Sequence, residues 1–338
     1  MAALQSRHHL RWRVLVAVAL TVGATGCATK SKDSPSTASG TSSSAAKSCK
    51  IAIDNGSGTS LPFPNAEAKG AVDQAKALGC QVVANLDGKS NPQTEAANVQ
   101  NIIALKPDGV VMLPSDAAEA ASLVDSMTSA GIKVVSSHSV VGAKRKLDDV
   151  FPKLSTLVIE NEVGAGKQAA ELLTKALPKG GNIAVIIGAP GYAENQLRVQ
   201  DFKTQIAGKF VIVATQPADW VADKGQSACA AILNAHPDIV GFYSLSDDMG
   251  VGCGKAVEAA KSKAVVVGVG GSKLGISEVK SGGNYIGTIC YKPYDEGKIA
   301  ITELHKAITD PKYGMAKLVF YHTPSVTKTN VTDCTPQW

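Results

Sequence analysis

Aromatic residues are scarce in this chain. Phe, Trp and Tyr make up 5% of its 338 residues, and only three are Trp. Burial must rest on Val, Ile, Leu and Ala, so a ring placed outside the core stands out. Long apolar runs are lacking too: "VLVAVALTVGATG" (residues 14–26) is too short and too early for a spanning helix. No CxxC or Cys/His spacing points to zinc, and no GxSxG or HExxH points to a hydrolase. "GAGK" (164–167) lacks P-loop spacing and has Gln168 where a magnesium-binding hydroxyl belongs, so it reads as a helix start. "GVGG" (268–271) continues into no GxGxxG, and "GVGCG" (250–254) lies in a helical pattern where glycines allow close packing. His138 has no placed partner for base catalysis and reads as a polar ligand contact. No enzyme, metal or cofactor is expected.

What is present begins with a leader. "RHHLRWR" is cationic, the apolar run follows, and "ATGC" closes it, giving a secretory signal over residues 1–26. Cys27 after a small residue is the expected lipidation site, although Ala24 stands where such sites favour Leu. Residues 27–48 are Ser/Thr/Ala-rich and read as a flexible tether from a lipid anchor on the outer face of the cell membrane. The competing reading is an ordinary cleaved signal and a released protein. Arg7, Arg11 and Arg13 leave with the leader, so 34 basic residues become 31 against 29 acidic. That near-balance gives no reason for a nucleic-acid partner. The six remaining cysteines, Cys49, Cys80, Cys229, Cys253, Cys290 and Cys334, are an even set outside the cytoplasm and read as disulfides.

From Cys49, short Val/Ile/Ala runs ("KIAID", "CQVVANL", "DGVVML", "IKVVSS") alternate with amphipathic stretches of helical length. This is repeated βα: parallel sheet, buried on both faces, with helices on either side. The pattern breaks at "HSVVGAKRKLDDVFPK", and a second series starts at "STLVIEN". Two α/β lobes are expected, with ligand residues past the carboxyl ends of the strands. "VIVATQPADW" (211–220) reads as a buried strand that delivers Trp220 to such an end. Phe63 is either a hydrophobic staple or a cleft aromatic. Arg198 either reaches a ligand or pairs between helices.

With "PFPNAEAKGAVDQAKALG", "NPQTEAANVQNIIALKPDGVVMLP", "QPADW", "AHPDIVGFYSLSDDM" and "VVVGVGG" in that order, the chain resembles the ribose-type periplasmic sugar-binding proteins, the type I solute receptors of ABC importers. The resemblance implies two doubly wound parallel-sheet lobes joined by three crossovers. It places residues 49–150 plus 292–320 in the first lobe and 151–291 plus 321–338 in the second. It implies a monomer that closes on a small solute, carbohydrate or derivative, and presents it to an ABC permease. The alternative on the same scaffold is a ligand sensor relaying to a membrane kinase or chemoreceptor.

Carried over position by position, the resemblance implies a ligand set of Phe63, His138, Ser139, Gln196, Arg198, Trp220, Ser246, Asp247 and Tyr291. Several sugar-clamping positions of the family are changed: its Asp-Arg pair falls on His138 and Ser139, and a further Asp falls on Gly270. Rings are kept or added, which suits a flatter ligand, a larger stacked sugar derivative or a cation. In this topology the starts of the first two strands are neighbours, which pairs Cys49 with Cys80. Successive second-lobe helices pair Cys229 with Cys253, and the returning tail pairs Cys290 with Cys334.

Overall fold

The computed structural model describes residues 49–338; the leader, Cys27 and the tether lie outside the described residues. The chain runs β1 (Lys50–Asn55), α1 (Pro62–Ala77), β2 (Gln81–Asp87), α2 (Pro92–Leu105), β3 (Gly109–Leu113), α3 (Ala117–Ser129), β4 (Lys133–Ser137) and β5 (Thr156–Glu160). It continues through α4 (Glu162–Ala176), β6 (Gly181–Ile187), α5 (Glu194–Ile206), β7 (Phe210–Pro217), α6 (Ala222–Ala235), β8 (Ile239–Ser244), α7 (Asp247–Ala259), β9 (Val265–Val267), α8 (Lys273–Ser281) and β10 (Tyr285–Ile289). It ends in α9 (Pro293–Thr309), β11 (Lys317–Tyr321), β12 (Ser325–Val326) and a 3₁₀ turn at Lys328–Asp333. Helix starts follow local chemistry. Pro62, Pro92 and Pro293 stand in the first turns of α1, α2 and α9, where a missing N–H costs nothing. Asn91, Asp116, Asn161, Ser246 and Ser272 accept first-turn N–H groups of α2, α3, α4, α7 and α8.

The strands form two six-stranded sheets, ordered β11-β5-β4-β3-β1-β2 and β12-β10-β9-β8-β6-β7. The first is parallel throughout; in the second, only β12 runs antiparallel, against β10. This is the type I periplasmic binding protein fold, two α/β lobes each with its own sheet. The chain crosses between sheets three times: between β5 and α4, between β10 and α9, and between β11 and β12.

One expected boundary is corrected. The break in pattern at residues 138–155 does not separate the lobes. It is an irregular connection inside the first lobe, and β5 pairs there with β4 and β11. The first lobe therefore keeps residues through Glu160 and takes back β11 through Tyr321. An irregular stretch looks alike in sequence whether it joins neighbours or lobes; only strand pairing separates the cases. A second correction concerns burial. β2 and β7 are edge strands, half-exposed rather than buried on both faces, and Val211 is 61% exposed.

The expected disulfide pairs are joined, with Cα separations of 4.8 Å for Cys49–Cys80, 5.2 Å for Cys229–Cys253 and 5.8 Å for Cys290–Cys334. Cys229–Cys253 ties α6 to α7, whose backbones meet closely. A Cβ on Gly252 would meet the Ala222 carbonyl, and one on Gly225 the Met249 carbonyl. The glycines of "GVGCG" thus serve packing, as read from the sequence.

Candidate functional site

The carboxyl ends of the central strands in both sheets face one cavity, part of it open to solvent. Six of the nine sequence-named residues line it: Phe63, His138, Arg198, Trp220, Ser246 and Tyr291. Phe63 comes from the first turn of α1, and His138 follows β4. Trp220 follows β7, Ser246 caps α7, and Tyr291 follows β10. Two of the six are held in the left-handed region, His138 at φ 64° and Trp220 at φ 65°. Bulky side chains seldom adopt it, and such strain gathers where a side chain must be aimed.

The other three do not reach the cavity lining. Asp247 turns inward. It accepts bonds from Tyr285 Oη (2.6 Å), Thr288 Oγ1 (2.6 Å) and the Ser272 amide (2.7 Å), which tie the start of α7 to β10 and the β9–α8 connection. Ser139 is buried, and its carbonyl accepts from Ser136 Oγ. Gln196 lies on the exposed face of α5. Helix geometry requires this: two residues apart, Gln196 and Arg198 point to different sides. Position i−4 shares the Arg198 face, and it is Glu194.

Glu194 is the first of several lining residues the sequence reading passed over. It is 1% exposed, lines the cavity, and neither carboxylate oxygen has a hydrogen-bond partner among the described residues. Tyr192 is the second, its ring 5.6 Å edge-on from Trp220. Trp338 is the third. Its ring stands 5.4 Å edge-on to Phe63, and its indole N–H donates to the Gly270 carbonyl at 3.2 Å. A Cβ on Gly270, which sits at φ 134°, would collide with the Trp338 ring. The tail thus fills the space over a position where the resembled family carries Asp. Helical spacing from Arg198 would have found Glu194; the sequence holds no periodic signal for Trp338.

Behind the cavity lies a buried ionic cluster at the crossovers. Glu162, at the start of α4, accepts from Arg198 Nη2 at 2.7 Å and Nε at 2.5 Å, and from Tyr291 Oη at 2.7 Å. Arg198 Nη1 donates to the Leu245 carbonyl at 2.6 Å. His138 Nδ1 lies 2.8 Å from Glu160 Oε1 and 3.7 Å from Glu296 Oε2. Burial alone would lower the imidazole, but the charge and hydrogen bond of Glu160, with Glu296 behind, hold its pKa well above the usual range. Glu160 is held below its ordinary value, His138 overcoming the cost of burial. Burial pushes Glu67 up to about 8, so it keeps its proton at neutral pH, and burial with the charge of Glu160 lifts Glu296 well above its ordinary value. Burial also raises Glu162 to about 6, against the pull of Arg198. His138, Glu162 and Glu194 offer atoms within 4.8 Å of one another, as do His138, Glu160 and Glu296. Both sets are accounted for by these pairings, apart from Glu194.

Two lobes, strand ends facing one cavity and rings on its walls define a solute-binding protein. The periplasmic binding protein domain family matches residues 55–312, and the chain belongs to it. It is 28% identical over 256 residues to the ribose import binding protein of Escherichia coli K12, covering 74% of this chain and 82% of that protein. It is 26% identical over 268 residues to the xylitol-binding protein of Mycolicibacterium smegmatis, covering 76% and 71%. An ABC transporter solute binding protein from Mycobacterium smegmatis with bound glycerol has the same fold, with a TM-score of 0.77 at 24% identity over 85% of this chain and 96% of that one. Among the described residues no helix is long and apolar enough to cross a membrane.

Proposed function

We propose that the protein is the solute receptor of an ABC importer, held at the outer face of the membrane through Cys27, and that it closes on a small sugar-like or ring-stacking solute in the interlobe cavity. The observation that carries this reading is a cavity walled from both lobes, with Phe63 and His138 on one side and Arg198, Trp220 and Ser246 on the other. A ligand touching both lobes stabilises the closed state by its differential affinity. The relatives named for ribose and xylitol support a carbohydrate-scale solute. A thermal-shift screen of sugars, polyols, aromatics and amines tests it. A true ligand at 100 times its Kd raises stability by about 2.7 kcal/mol, and no shift with any member counts against the reading. Cys27→Ser is expected to move the protein from membrane to soluble fractions with solute affinity unchanged. Retention of that variant on membranes would contradict the anchor.

A further inference from the structure

The cavity and the cluster behind it hold five buried carboxylates, Glu67, Glu160, Glu162, Glu194 and Glu296, against two basic groups, His138 and Arg198. Arg198 is taken up by Glu162, and His138 by Glu160. Glu67 is raised to about 8 by burial, and Glu296 faces His138 at 3.7 Å. Glu194 is left over: it lines the cavity beside His138 and Glu162, within 4.8 Å of them, and its two buried acceptor oxygens have no hydrogen-bond donor among the described residues. Asp248 adds a second carboxylate to the lining. A buried carboxylate without a hydrogen-bond partner is costly, and a ligand in the cavity can supply one. The other walls include five rings, Phe63, Tyr192, Trp220, Tyr291 and Trp338; Arg198 already lies over Trp220 and Tyr291, and the faces of the remaining rings attract positive charge.

Resting on the reading of this cavity as the solute site, we propose that the ligand carries a protonated amine, which donates to Glu194 while the aromatic walls enclose the rest of the molecule. A neutral polyol supplies hydrogen bonds to Glu194 but brings no positive charge to the two lining carboxylates, Glu194 and Asp248. It also needs donors for its own oxygens, and three of the five Arg198 N–H groups are already engaged. A quaternary ammonium supplies charge but no N–H for the two empty acceptors. An amine supplies both.

Matched pairs differing only in amine against hydroxyl isolate this claim: glucosamine with glucose, 5-aminopentanol with 1,5-pentanediol, and phenethylamine with phenylethanol. Titration calorimetry of the purified protein is expected to show the amine binding at least tenfold tighter in the pair whose scaffold fits. Glu194→Gln, which keeps the shape and removes the charge, is expected to reduce that preference to within about threefold. The unfolding midpoint of the variant without ligand reports its fold, and the wild-type ratio stands without the variant. Neutral members binding as tightly as the amines overturn the charge assignment and leave the solute-receptor reading standing. An amine preference that survives Glu194→Gln overturns the role of Glu194. No saturation by either member of any pair counts against both readings.

Discussion

Glu67 shows how far a single residue departs from its solution behaviour. It is buried on α1, facing His138, Ser137, Glu160 and Glu194, and burial raises it to about 8. Between its ordinary value of 4.5 and about 8, the folded state binds a proton that the unfolded state has lost, so stability falls as pH rises through that window. Glu162, raised to about 6, and His138, raised above 6.5, act in the same direction. Glu160, whose value is lowered, acts the other way, but only below its ordinary 4.5. The unfolding midpoint is therefore expected to be higher at pH 5.5 than at pH 8. Glu67→Gln, which imitates the protonated carboxyl, should flatten that dependence and raise the midpoint at pH 8. A midpoint that rises with pH, or a variant with an unaltered slope, contradicts the assignment. At this scale the sequence was only partly legible. Trp220 and Arg198 were named because strand ends and a resemblance pointed to them. Glu194 was passed over because position-by-position matching put weight on Gln196, which helix periodicity sends to solvent.

Among the elements, the carboxyl-terminal tail departs most from what periodicity can show. It has no long helix or strand, and its course is set by bonds to both lobes. Cys334 is joined to Cys290 at the end of β10, the Lys273 amide donates to the Trp338 carbonyl at 2.9 Å, and Gln337 bonds Asp295 on α9. These contacts hold Trp338 over Gly270 and against Phe63. The cysteine pairing was legible from the topology; the ring it positions was not. Removing Cys290–Cys334 by a double Ser substitution is expected to weaken solute affinity several-fold, because a wall of the cavity loosens. Removing Cys229–Cys253 is expected to lower stability by about 3 kcal/mol, as for a loop of this length. It should leave affinity unchanged, because that bridge ties α6 to α7 away from the cavity lining. Unfolding curves and titrations on both variants check the contrast; equal effects on affinity would remove the special role of the tail. The misplaced lobe boundary has a similar cause, since residues 138–155 carry no pattern that distinguishes an internal loop from a crossover.

At the largest scale, the described residues form a pair of α/β lobes that meet across a cavity. Repeated βα alternation made both sheets legible, and strand-end chemistry located the cleft. Closure brings elements of the two lobes together: the Ala117 amide reaches the Gly191 carbonyl at 3.4 Å, and Leu197 of α5 packs into the first-lobe core. Phe63 likewise packs against the second-lobe core. The central claim is that the solute is held between the lobes by rings from each. Aromatic contacts of this kind give roughly 0.5–1.5 kcal/mol beyond the area they bury. The most direct measurement is calorimetric titration of the solute identified by screening, on Trp220→Ala and on Phe63→Ala, one ring from each lobe. Each variant is expected to keep its fold and to bind at least tenfold more weakly. Affinity unchanged in both would place the solute elsewhere and contradict the account.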